Sequence, residues 1–130
     1  MTTLWPTLTV QDVDASLAFY RDRLGFNVDF SLQDEKGKTY LGSVELGDTV
    51  IMFESPDPNQ TDHLQRGFNS ELSLTICFSD THDLDALFTD LGRNGVQIEC
   101  EIANRPWGNR DFTIRDPDGY KLILAKPANQ

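Results

Sequence analysis

The chain has 130 residues, 11 Lys and Arg against 21 Asp and Glu, a formal net charge of −10 and two cysteines. That length makes one domain, or two small modules sharing a core, and it buries enough surface to fold without disulfide or metal staples. An acidic field of this size repels nucleic acid and anionic membranes, so neither is an expected partner; it suits a cationic ligand, although acidic surfaces also serve solubility alone.

The first predicted element is a strand, Leu4 to Val10. The run "DVDASLAFYRDRLG" follows, with Val13, Leu17, Tyr20 and Leu24 at helical spacing, Asp12 or Asp14 to cap its start and Gly25 to end it. Three strands come next, Phe26 to Ser31, Thr39 to Glu45 and Thr49 to Glu54, separated by turns at Lys36-Gly37-Lys38 and Gly47-Asp48. The stretch "SPDPNQTDHLQRGFNS", residues 55–70, is polar and proline-bearing and reads as a linker.

The second half runs in the same order. A strand from Glu71 to Phe78 precedes a helix carrying Leu84, Leu87, Phe88 and Leu91 on one side and ending at Gly95. Strands Val96 to Ile102, Arg110 to Arg115 and Lys121 to Ala125 complete it, the last two joined through Asp116-Pro117-Asp118-Gly119. Proline presets φ at the second position of such a turn, and glycine tolerates the left-handed conformation at its end. Asp12-Val13-Asp14-Ala15 and Asp83-Leu84-Asp85-Ala86 each open a helix, and the same order of elements surrounds both, so internal duplication is the economical account. The fold class is therefore α+β: two tandem βαβββ modules, 1–54 and 71–127, forming a curved mixed sheet with a cleft. The sheet edges and an apolar face needing cover point to a homodimer. Cys77 and Cys100 lie in apolar strand-like runs without paired spacing and are expected to be buried, reduced thiols. No signal peptide, lipidation motif or spanning apolar run is seen, which makes the cytoplasm the expected compartment.

The runs "TLTVQDVDASLAFYRDRLGF" and "PWGNRDFTIRDPDGYKLIL" resemble the vicinal oxygen chelate superfamily, which holds glyoxalase I, extradiol dioxygenases, fosfomycin resistance enzymes and bleomycin resistance proteins. The resemblance covers nearly the whole chain and implies paired βαβββ modules. The closing motif looks most like the bleomycin resistance proteins, which implies an acidic dimer sequestering a cationic aromatic antibiotic in clefts at its interface. In the metal-dependent branches the resemblance implies His, Gln or Glu ligands on strands of both modules. The matching positions here are Trp5, Met52 or Phe53, Glu71 and Ile123, of which only Glu71 offers a carboxylate. A divalent transition metal needs three or four N, O or S donors converging at about 2.0–2.3 Å, so no metal and no cofactor are expected. The alternative is a divalent-metal-dependent glyoxalase-like lyase or dioxygenase with an atypical site on Glu71 and Glu54. A third reading is a regulatory or immunity partner that uses the dimer for protein contacts.

Trp107 is the leading candidate for ligand binding, at the mouth of the last hairpin; the resemblance implies that it stacks on planar rings. Trp5 either lines the cleft or fills it. Tyr40, Phe30 and Phe112 are strand aromatics that serve a core or a ligand wall. Arg105 and Arg110 flank Trp107 and either pair with Asp116 or Asp118 or act on Trp107 and a ligand. Glu71 offers a carboxylate to a cationic ligand or is simply a solvated strand start. His63 in the linker and His82 beside the second helix are expected to be solvated or capping. The segment "LQDEKGK", residues 32–38, lacks the second aromatic that the bleomycin resistance proteins are similar in bearing, which favours a related planar or hydrophobic small molecule as ligand.

Overall fold

In the computed structural model, which describes residues 2–56 and 72–128, the Asp-x-Asp-Ala signature is one helix cap used twice. The carboxylate of Asp12 accepts from the Ala15 N–H at 3.1 Å, and that of Asp83 accepts from the Ala86 N–H at 3.0 Å. Each satisfies a donor that the first helical turn leaves without an intrahelical partner. The chain divides into two compact units, Met1–Asn69 and Ser70–Gln130.

The first unit contains β1 (Thr7–Thr9), α1 (Val13–Leu24), β2 (Asn27–Gln33), β3 (Thr39–Leu46) and β4 (Thr49–Glu54). Its sheet runs β1-β4-β3-β2, with β1 parallel to β4 and the other pairs antiparallel. Strand β1 is shorter than expected because Pro6 has no N–H for a ladder. The Pro6 carbonyl still accepts from Met52, but Leu4 and Trp5 lie outside the strand, 85% and 59% exposed. Gly25, at φ 83°, ends α1 by turning its N–H back to the Tyr20 carbonyl. Leu8, Val44, Ile51 and Phe53 face α1, where the Tyr20 ring sits 4.9 Å from that of Phe53. Register puts Thr7, Thr9, Ser43, Met52 and Glu54 on the face turned away from that helix.

The second unit repeats the plan with β5 (Ser73–Cys77), α2 (Leu84–Arg93), β6 (Ile98–Asn104), β7 (Asn109–Arg115) and β8 (Lys121–Pro127), in sheet order β5-β8-β7-β6. Each unit is thus a βαβββ module with a mixed sheet, and the class is α+β. Strand β6 begins two residues later than the sequence pattern indicated. The Val96 N–H is taken by the Leu91 carbonyl at the end of α2, and the Gln97 carbonyl accepts from Arg115, so pairing settles further along the chain. Phe112, Ile114, Leu122 and Leu124 face α2 and are fully buried; the Phe112 ring meets that of Phe88 edge-on at 5.2 Å. Cys77 and Cys100 are exposed, not buried as expected. Their register partners Ala125 and Thr113 lie on the face away from α2, because alternation assigns the apolar neighbours to the other side. No helix among the described residues is long and apolar enough to cross a membrane.

Candidate functional site

The four residues Arg105-Pro106-Trp107-Gly108 join β6 to β7. The Gly108 N–H donates to the Arg105 carbonyl at 3.1 Å, the Arg105 N–H to the Asn109 carbonyl at 2.6 Å, and the Ala128 N–H to the Gly108 carbonyl at 2.9 Å. Gly108 sits at φ 99°, a conformation open to glycine and strained for other residues, so the glycine after the tryptophan is a requirement of the loop. Trp107 occupies the third position and is 70% exposed. A large indole held in water on a loop closed by three backbone bonds contributes little to a core, and it offers a flat face to a ring.

Arg105 braces this loop from its side. Its Nε donates to Asp111 Oδ1 at 2.8 Å, while Nη2 reaches the Glu101 carbonyl at 2.8 Å, the Asp111 carbonyl at 3.3 Å and the Cys100 Sγ at 3.3 Å. The hydrogen bond to buried Asp111 is the main reason that the Arg105 guanidinium holds its proton more tightly than usual. The ion-pair alternative for the two arginines holds with Asp111 and Asp85 in place of Asp116 and Asp118. Arg110 turns toward the start of α2, where Nε and Nη2 grip both oxygens of Asp85 at 2.8 and 3.0 Å and Nη1 meets Asn104 Oδ1 at 3.0 Å. All three nitrogens of its guanidinium are thereby committed within the protein. Asp83, Asp85, Asn104, Arg110 and Lys126 line a shallow polar depression of about 280 Å³ there. Two acids face two bases, so the depression is close to neutral.

The other predicted residues lie on separate elements of the two units. Phe112 is 0% exposed and belongs to the core, which corrects its assignment to a ligand wall: its strand position alternates onto the helix side. Tyr40 is 42% exposed at the start of β3. Trp5 fills no core; it stands open before β1. Glu71 and His63 lie outside the described residues. His82 is partly buried and stacks on Phe78 at 4.3 Å; its carbonyl accepts from Lys126 Nζ and from the Leu84 N–H at the start of α2. Its Nδ1 has no partner among the described residues.

Of the positions matching the metal ligands of the resembling enzymes, the described ones carry no carboxylate or imidazole. Met52 and Ile123 turn away from their modules' helices, as ligands there would, but present a thioether and a hydrocarbon. Glu54 shares the face of Met52 and is exposed; its carboxylate accepts from Thr9 Oγ1 at 3.2 Å. Sequence reasoning missed the Arg105–Asp111 brace. An arginine and an aspartate six positions apart become neighbours only when the hairpin register is known.

Residues 3–124 match the model of the glyoxalase/bleomycin resistance protein/dioxygenase superfamily. Bleomycin resistance proteins of Geobacillus stearothermophilus and Staphylococcus aureus are each 26% identical over 120 residues, covering 87% of this chain and 87% of theirs. Among solved structures, TnmS3, an antibiotic binding protein from Streptomyces sp. CB03234, superposes with a TM-score of 0.71 at 23% identity, covering 98% of both chains. TioX from Micromonospora sp. ML1 does so with a TM-score of 0.73 at 17% identity, covering 99% of this chain and 98% of that one. These likenesses show a shared fold. With the family model spanning both βαβββ modules, the chain belongs to the glyoxalase/bleomycin resistance protein/dioxygenase superfamily.

Proposed function

We propose that this protein binds and sequesters a small molecule without a metal and without breaking a bond in it, and that the candidate ligand is a cationic aromatic antibiotic of the bleomycin type. The observation that carries the proposal is the exposed indole of Trp107 on its braced loop. Supporting it are the curated relatives called bleomycin resistance proteins and a net charge of −10. A stacked ring contributes about 0.5–1.5 kcal/mol beyond the area it buries. A cation in the ring adds attraction to the indole face, and the acidic field raises its rate of arrival. Arg105 and Arg110 are engaged with Asp111 and Asp85, so the loop presents no unpaired guanidinium to repel a cation. Trp5, Tyr40 and Glu71 remain secondary ligand contacts in this proposal, which places the protein in the cytoplasm as a homodimer.

The test is a titration of the purified protein with bleomycin and other cationic aromatic drugs, read by tryptophan fluorescence and by mass spectrometry of the recovered drug. Saturable quenching that Trp107→Ala abolishes, weaker binding at high salt, and an unaltered drug are expected, together with growth protection on expression. A stoichiometric transition metal with turnover of a glyoxalase or dioxygenase substrate, lost in Glu71→Ala, would instead establish the enzyme alternative.

A further inference from the structure

Three hairpin loops in this chain share one backbone design. In Asp34–Gly37, Arg105–Gly108 and Asp116–Gly119 the first residue's N–H donates to the carbonyl of the residue after the loop, at 2.8, 2.6 and 3.0 Å respectively. The closing glycine donates back to the first residue's carbonyl in each, and the three glycines have φ of 82°, 99° and 87°. In two of them the first side chain is an aspartate that ties the loop from within. Asp34 Oδ1 accepts from the N–H groups of Lys36 and Lys38, and Asp116 Oδ1 from those of Asp118 and Tyr120. The Trp107 loop has an arginine there, which has no acceptor for those groups. Its guanidinium instead reaches Glu101 and Cys100 on β6 and Asp111 on β7, fastening both strands beneath the loop. Lys36 stands at the third position of the module 1 loop, where Trp107 stands in module 2.

We propose that Arg105 is a positioning residue for ligand binding: braced on Asp111, it replaces the internal aspartate clamp of the sister loops and holds Trp107 in a receiving orientation. This deepens the proposed function and rests on it for its role in binding. The physical reason is preorganisation. An exposed indole that is already ordered loses less rotational freedom when a ring stacks on it, so a firm loop binds more tightly than a loose one with the same contacts.

Trp5 and Trp107 are the only tryptophans in the chain, so a Trp5→Phe background isolates the signal of Trp107. Time-resolved fluorescence anisotropy of that protein without ligand is expected to show about a twofold larger fast component after Arg105→Gln, reporting nanosecond loop motion. Arg105→Lys, which keeps the charge but not the fork, is expected to be intermediate. Arg115→Gln, which unties contacts with Glu99 near the start of β6 and with Gly119 in the next turn, is expected to leave the decay unchanged. Should Arg105→Gln fail to fold, Asp111→Asn carries the same test. The bleomycin Kd is expected to rise about tenfold in Arg105→Gln. An unchanged anisotropy decay in a folded variant overturns the brace whether or not bleomycin binds. A looser loop with an unchanged Kd overturns its role in binding. Absence of any drug binding in the native protein refutes the proposed function, and the ligand-free decay still judges the brace.

Discussion

Gly42 of β3 lies directly beneath Leu17 of α1: a Cβ at Gly42 would stand 3.0 and 3.2 Å from the two Leu17 methyl groups and 3.2 Å from the Phe30 carbonyl oxygen. Helix and sheet of the first module approach as closely as they do because this strand position carries no side chain. Gly42→Ala makes the Leu17 side chain or the Phe30 backbone give way by a few tenths of an ångström, and overpacking of this kind costs about 1–3 kcal/mol. Urea denaturation is the measurement: a lower midpoint at unchanged slope is expected, and a midpoint equal to that of the native protein would show that the contact has slack.

The two helix caps make a matched pair of predictions. Asp12→Ala and Asp83→Ala each remove one carboxylate acceptor from a helix start and should each destabilise by about 1 kcal/mol. Asparagine at either position keeps the acceptor and should recover most of the loss. Equal stability of the alanine and asparagine variants in thermal melts would contradict the capping role.

Trp107 and Phe112, five positions apart, should respond in opposite ways. Phe112→Ala empties a fully buried site and is expected to cost about 3–5 kcal/mol. Trp107→Ala, at an exposed position, should change stability by less than about 0.5 kcal/mol while removing drug binding. Calorimetric unfolding beside drug titration separates the two, and a large stability loss at Trp107 would return that residue to the core.

Acid should weaken the second module through Asp85. Its hydrogen bond to Arg110, then the attraction between the charges, holds the carboxyl below the usual carboxylate range. A folded-state value depressed below the unfolded one contributes stability that is present above the unfolded value and lost as pH falls through the folded one, here below about pH 4. Because Asp85 is exposed, the contribution is well under about 1 kcal/mol. The stability gap between native protein and Asp85→Asn should be constant from neutral pH to about 5 and shrink below about 4. A gap that widened on acidification would reverse the assignment. Glu99, held low mainly by its hydrogen bond to Arg115, should behave in the same direction.

Much of the architecture was legible because it is written in short-range chemistry. The spacing of Val13, Leu17, Tyr20 and Leu24 marks a buried helical face, and those four residues are buried in α1. The order Asp116-Pro117-Asp118-Gly119 specifies a reversal, and the Asp116 carboxylate and the positive φ of Gly119 complete it. Trp107 was legible as a loop aromatic because it precedes Gly108 at the mouth of the last hairpin. Errors came where one residue of register decides the outcome. Cys77 and Cys100 sit in apolar runs yet turn outward, because successive strand residues take opposite faces; the same alternation turns Phe112 inward, to the core side of its two readings.

The sequence by itself determined the duplicated βαβββ plan, its caps and turns, and the indole, thioether and hydrocarbon groups at Trp5, Met52 and Ile123; each depends only on residue type and near neighbours along the chain. Tertiary structure alone decided that Arg105 braces Asp111 while Arg110 holds Asp85, five residues apart in the chain yet sent to opposite faces of one sheet. A long guanidinium reaches many acids in a chain this acidic, and only strand pairing and the position of α2 select which one stands within about 3 Å.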